Sequence, residues 1–111
     1  MTLFRQRQTR DKTTASLRHQ GNGRFLLTGE LSFASVTGLL RQSTDLFANP
    51  TPTVELDLAG VQRADSAGLA LLVEWLAQAQ RLDKSLRFLH VPEQILRMAK
   101  VGGLEAILPL T

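Results

Sequence analysis

Asp57-Leu58-Ala59-Gly60-Val61-Gln62-Arg63-Ala64-Asp65-Ser66-Ala67-Gly68-Leu69 is the stretch that decides how this chain folds. It joins an alternating segment to a helical one. Before it, Val54, Leu56 and Leu58 alternate with Thr53, Glu55 and Asp57, a period of two that predicts a strand over Thr53–Leu58. After it, Leu69, Leu72, Val73, Leu76 and Ala77 recur as i, i+3, i+4, i+7 and i+8. That spacing predicts an amphipathic helix over Ser66–Leu82, with Leu71 and Trp75 off its stripe. Because the strand has one apolar and one polar face, helices should cover the sheet mainly on one side.

Asp65 and Ser66 stand where the helix begins. A carboxylate there accepts hydrogen bonds from free helical N–H groups and suits the positive end of the helix dipole. Ala67 and Gly68 have almost no side chain, so the first turn is left bare and open to close approach by another backbone. Ser66 then has two readings. It is a helix cap, since serine is favoured in that role, or it is an interface residue open to phosphorylation. A phosphate would add about −1.5 to −2 charges beside Asp65 and repel a partner shaped for a neutral hydroxyl.

On either side of this junction the chain is clearly punctuated. Ala15–His19 and Arg24–Thr28 read as two strands joined at Gly21-Asn22-Gly23, a turn sequence. A helix should follow, capped by Ser32, weakened by Gly38 and carrying Val36, Leu39, Leu40 and Phe47 along one stripe. Asn49-Pro50-Thr51-Pro52 ends it. Leu86–Val91 is another strand, and Pro92 suits the first turn of a last helix bearing Ile95, Leu96, Met98 and Ala99. Gly102-Gly103 stops that helix, and Leu104–Leu110 should pack back on the body. The order β-β-α-β-α-β-α predicts an α/β fold: one domain with a mixed sheet of four or five strands.

Composition sets the outer bounds. The chain has 111 residues, 43% hydrophobic and 21% charged, enough for one domain with a real core. Its net charge of +3 is uneven. Arg5, Arg7, Arg10, Lys12 and Arg18 face only Asp11 in the first 20 residues, and the remainder is nearly neutral. Residues 1–13 read as a flexible basic arm, and 14–111 as the folded domain. The arm is read as solvated, with contact to anionic lipid head groups as the alternative. A basic patch within the fold, the mark of nucleic-acid binding, is missing from the sequence pattern. No apolar run reaches the roughly 18–20 residues of a membrane span, and the start lacks a signal-peptide core, so a cytoplasmic protein is expected.

The chemistry of a catalyst is not legible. There is no cysteine, which excludes disulfides and thiolate sites, and only His19 and His90 could offer imidazole. Ser66 has no histidine near it in sequence and no GxSxG elbow, as a serine nucleophile would need. No glycine-rich phosphate loop occurs. The reading is therefore a non-enzyme without cofactor or metal. Trp75 stays open between a core position and an exposed anchor for a partner.

Three segments carry a family resemblance. DLAGVQRADSAGLALLVEW (57–75) resembles the signature loop and helix of STAS domains, the fold shared by anti-sigma factor antagonists and the tails of sulfate transporters. LLTGELSFASVTGLL (26–40) and PEQILRMAKVGGLEAILPL (92–110) resemble that family's second strand with first helix and its closing helix. The likeness spans about residues 15–110. It implies a protein-binding module whose contact is made by Asp65, Ser66, Ala67 and Gly68. In the antagonist branch, the serine at the place of Ser66 is phosphorylated by a partner kinase. This chain departs from that pattern at Ala67, where serine is usual, and at Ser32, where aspartate is usual. The Gly-Leu-Ala-Leu-Leu run, Trp75 and the late Leu-Pro are more similar to the MlaB-like branch. That branch implies an accessory subunit bound to the cytoplasmic ATPase of a phospholipid-transporting ABC transporter, held at the inner membrane through its partner. An anti-sigma factor antagonist with an anti-sigma factor kinase as partner is the alternative.

Overall fold

A computed structural model describes residues 15–48, 50–106 and 108 of the chain. The arm read over residues 1–13 lies outside the described residues, as does Asn49 of the helix-ending run. In chain order come β1 (Ala15–Gly21), β2 (Arg24–Leu31), α1 (Val36–Arg41), α2 (Ser43–Ala48), β3 (Thr53–Ala64), α3 (Ser66–Arg81), β4 (Ser85–Leu89) and α4 (Glu93–Val101). The sheet order is β1-β2-β3-β4. β1 and β2 form the antiparallel hairpin, whereas β2 with β3 and β3 with β4 are parallel. Parallel neighbours cannot be joined by a tight turn, so α1 with α2 and then α3 serve as crossovers.

The alternation seen in the sequence decides which face of the sheet is covered. Phe25, Leu27 and Leu31 of β2, Val54, Leu56 and Leu58 of β3, and Leu86 and Phe88 of β4 are buried beneath the helices. The opposite face is polar and carries its own ion pairs. Arg24 lies 3.7 Å from Asp57, and Arg87 lies 3.4 Å from Glu55.

β3 is twice as long as the alternation predicts. Ala59–Ala64 continues beside β2, pairing Thr28 with Gly60, Gly29 with Val61 and Leu31 with Ala64. The sequence reads as a short loop here, because the alternation that marks the strand covers only Thr53–Leu58. Glycine is needed for space: a Cβ at Gly60 would lie 2.5 Å from Thr28 Cγ2. The register with β2 shifts twice along this stretch.

The first helix also differs. It starts one turn later than Ser32, with Ser35 at its N-cap, and breaks at Gln42 into α1 and α2. Ser32 Oγ instead accepts from the Ala34 N–H at 3.2 Å, and Ser35 Oγ donates to the Glu30 carbonyl at 2.6 Å. These local bonds hold a turn ahead of the helix, a common competitor of helical pairing at Ser and Thr. Leu40, expected on the buried stripe, is 42% exposed.

α3 is buried more widely than its predicted stripe. Gly68, Leu69, Leu71, Leu72, Trp75 and Ala79 are buried, while Val73, Leu76 and Ala77 are half-buried. The cause is its central place: α3 packs on the sheet with α1 on one flank and α4 on the other. Trp75 is therefore core, fully buried, and its indole N–H donates to Ser43 Oγ at 2.7 Å. The tail behaves as expected where it is described, with Leu104 packed against the core and Leu108 buried. Pro92 occupies the N-cap of α4, one place ahead of the first turn.

Three substitutions check this packing. Ser43→Ala leaves the buried indole N–H without an acceptor and should cost about 1–3 kcal/mol in urea unfolding. At exposed Gly38 a Cβ meets nothing within 4 Å. Gly38→Ala should therefore stabilise the chain by about 0.5–1 kcal/mol. Gly68→Ala should act in the opposite direction, because its Cβ would lie 2.6 Å from both the Leu31 Cβ and the Leu31 carbonyl oxygen.

Candidate functional site

The carboxyl ends of β2 and β3 meet the start of α3 at Asp65. The backbone N–H of Asp65 donates to the Leu31 carbonyl at 2.9 Å, tying the end of β3 to the end of β2. Its side chain then serves two separate groups. Oδ1 accepts from the N–H of Ala67 at 2.9 Å and of Gly68 at 3.2 Å, capping α3. Oδ2 accepts from the N–H of Phe33 at 3.1 Å, across to the turn that follows β2. Slight burial pushes the Asp65 carboxyl up, but the N–H groups of Phe33, Gly68 and Ala67 outweigh it and hold the group below its ordinary value.

The four residues read from the sequence are placed together, though not all in the roles expected. Asp65 is the N-cap, so Ser66 is the first helical residue and its hydroxyl stands outside the capping bonds, exposed. Ala67 is half-buried. Gly68 is buried, and the backbone it admits is that of Leu31 in the same chain. Its small size brings helix and strand together instead of clearing the surface for a partner. The accessible tip of α3 is thus Ser66 with the outer side of Ala67.

Next to that tip is a residue the sequence pattern did not single out. Phe33 is 83% exposed. It forms one wall of an apolar groove of about 280 Å³ between α1 and α3, together with Val36, Leu40, Ala67, Ala70 and Leu71. The signal was an aromatic side chain in a polar turn, off any hydrophobic period. Glu74 closes the groove, and its carboxylate is occupied by Arg81 at 3.2 Å and Gln78 at 3.2 Å.

Asp57 is not part of this site. It lies on the polar face of the sheet, where Oδ1 accepts from the Ala59 N–H at 2.9 Å and meets His90 Nδ1 at 2.9 Å. Partial burial pushes its carboxyl up, but Ala59, His90 and Arg24 together hold it below the ordinary carboxylate value. His90 has a structural place at the end of β4, in left-handed backbone conformation (φ 55). Among the described residues no group of three or more His, Cys, Asp or Glu side chains could hold a metal ion, and no helix is long and apolar enough to cross a membrane.

A family model described as "Mlab, STAS domain" matches residues 15–109. The chain belongs to the MlaB-type STAS family. Within it, the chain is similar to the "Intermembrane phospholipid transport system binding protein MlaB" of Haemophilus influenzae. The two are 35% identical over 83 residues, covering 72% of this chain and 79% of that protein. Solved STAS folds agree in architecture. An anti-sigma factor antagonist from Mycobacterium paratuberculosis superposes with a TM-score of 0.71 at 18% identity, covering 86% of this chain and 84% of that one. The anti-sigma factor antagonist SpoIIAA in its unphosphorylated form gives 0.66 at 16% identity, covering 87% of each chain.

The two depressed carboxylates give the STAS domain a defined acid limb. Unfolded aspartates titrate near about 3.9. Groups with lower folded values contribute stability that is fully present above that pH and is lost as pH falls through the folded values. Thermal unfolding between about pH 2 and pH 7 should show stability falling on the acid side, with a shallower fall in Asp57→Asn and in Asp65→Asn.

Proposed function

We propose that this chain is a non-catalytic accessory subunit that binds the ATPase of a phospholipid-transporting ABC transporter, on the cytoplasmic side of the inner membrane. The observation that carries this reading is the open tip of α3: an exposed Ser66 hydroxyl beside an 83%-exposed Phe33 and an apolar groove. A large apolar side chain next to a contiguous apolar trough is the form that protein-docking surfaces take. The lipid-transport assignment is supported by the name and the 35% identity of the Haemophilus relative. A binding role suits the groups present, since the Asp65 oxygens are taken up by backbone N–H groups and offer Ser66 no general base.

The reading predicts that Ser66→Glu abolishes co-purification with the ATPase while thermal unfolding stays near that of the parent chain. The new carboxylate would be buried unpaired on docking, or would hold the partner off. Retention of the ATPase by a folded Ser66→Glu chain would count against the reading. Regulation as an anti-sigma factor antagonist rests on the same exposed hydroxyl. The two part on what the parent chain retrieves from native membranes: an ABC ATPase with its permease, or a serine kinase.

A further inference from the structure

We infer that Asp65 is a positioning residue for docking: its second carboxylate oxygen clasps the Phe33 backbone and so presents Phe33 and Ser66 as one fixed surface. This rests on the docking reading given above and adds the residue that organises the surface.

The two oxygens of the Asp65 side chain divide the labour. Capping α3 needs only one acceptor atom, and Oδ1 supplies it to Ala67 and Gly68. A serine or asparagine would do as much. Oδ2 is surplus to the cap and is spent on the N–H of Phe33, 32 residues away in sequence. Phe33 itself has little to hold its ring, being 83% exposed at the rim of the groove. Its backbone is set by the turn. Ser32 Oγ accepts from Ala34, the Ser32 N–H donates to Ser35 Oγ, and Asp65 supplies a bond to Phe33 from outside the turn. A backbone segment held ready in its bound position loses less freedom on association, so fixing the Phe33 backbone raises affinity without touching the partner.

The chemistry of asparagine separates the two jobs. Asp65→Asn keeps one acceptor oxygen and replaces the other with an NH2 donor. One oxygen cannot serve both Phe33 and the helix start, and an NH2 facing the Phe33 N–H is donor against donor. The cap is kept and the clasp is lost.

Two readouts decide the inference. The first needs no partner: amide hydrogen exchange in the parent chain and in Asp65→Asn. Phe33 should exchange faster in the variant while Ala67 and Gly68 hold their protection; equal protection of Phe33 in both chains overturns the clasp. The second is affinity for the purified cognate ATPase in a double-mutant cycle with Phe33→Ala. Asp65→Asn should weaken binding about tenfold, the scale of one lost hydrogen bond. In the Phe33→Ala background the same change should have almost no effect, because the residue it positions is gone. An equal loss in both backgrounds shows that Asp65 does not act through Phe33 and overturns the inference. Failure of the parent chain to bind the ATPase at all overturns the docking reading instead, and the exchange experiment still decides whether the clasp exists.

Discussion

The whole candidate site depends on how two parallel strands hand over to one helix. β2 and β3 end side by side, with Leu31 opposite Ala64, and α3 must start at once without leaving its first N–H groups bare. Asp65 meets that demand with its backbone N–H on the Leu31 carbonyl and one carboxylate oxygen on the helix start. Gly68 completes the join by letting the helix sit against Leu31, where a methyl group would not fit. An oxygen is left over, and it reaches the Phe33 turn. The hydroxyl of Ser66 is freed from capping as a consequence, which is why it can face outward.

The helical layer follows from the same join. Once α3 is anchored over the centre of the sheet, it is flanked on both sides, so its apolar surface must be broad. That broad contact seats Trp75 inside and requires a partner for its indole N–H, since a buried donor left unmade is costly. Ser43 provides the acceptor at the start of α2. The break between α1 and α2 and the burial of Trp75 thus belong to one arrangement, in which a polar pair is closed inside an apolar layer.

The sequence was a good guide where periodicity ran uninterrupted. The alternation over Thr53–Leu58, the helix after Ser66 and the glycine-asparagine turn all correspond to elements of the structure. It was a poor guide where tertiary contact overrode local pattern. Gly60 looks like a loop residue until the Thr28 side chain is placed over it. Trp75 lies off a narrow helical stripe, but α3 has neighbours on both flanks, so the stripe is wide. Ser32 is a favoured capping residue, but Ser35 and the Glu30 carbonyl hold a turn there instead. For the candidate site, the sequence gathered Asp65-Ser66-Ala67-Gly68 at one helix start, and the structure places them there. The inward use of Gly68 and the part played by Phe33 depend on residues more than 30 positions distant, beyond the reach of a local reading.

The enclosure of Trp75 has a practical side. The chain holds one tryptophan and no tyrosine, so nearly all of its near-ultraviolet emission comes from a single indole. That indole lies nine residues along α3 from Ser66, roughly 14 Å at helical rise. It is dry and hydrogen-bonded to Ser43. An indole so enclosed should emit at shorter wavelength than a solvated one, and unfolding should redden it. The protein thus carries a built-in optical gauge of its own integrity, buried in α3 behind the groove wall formed by Leu71 and Glu74.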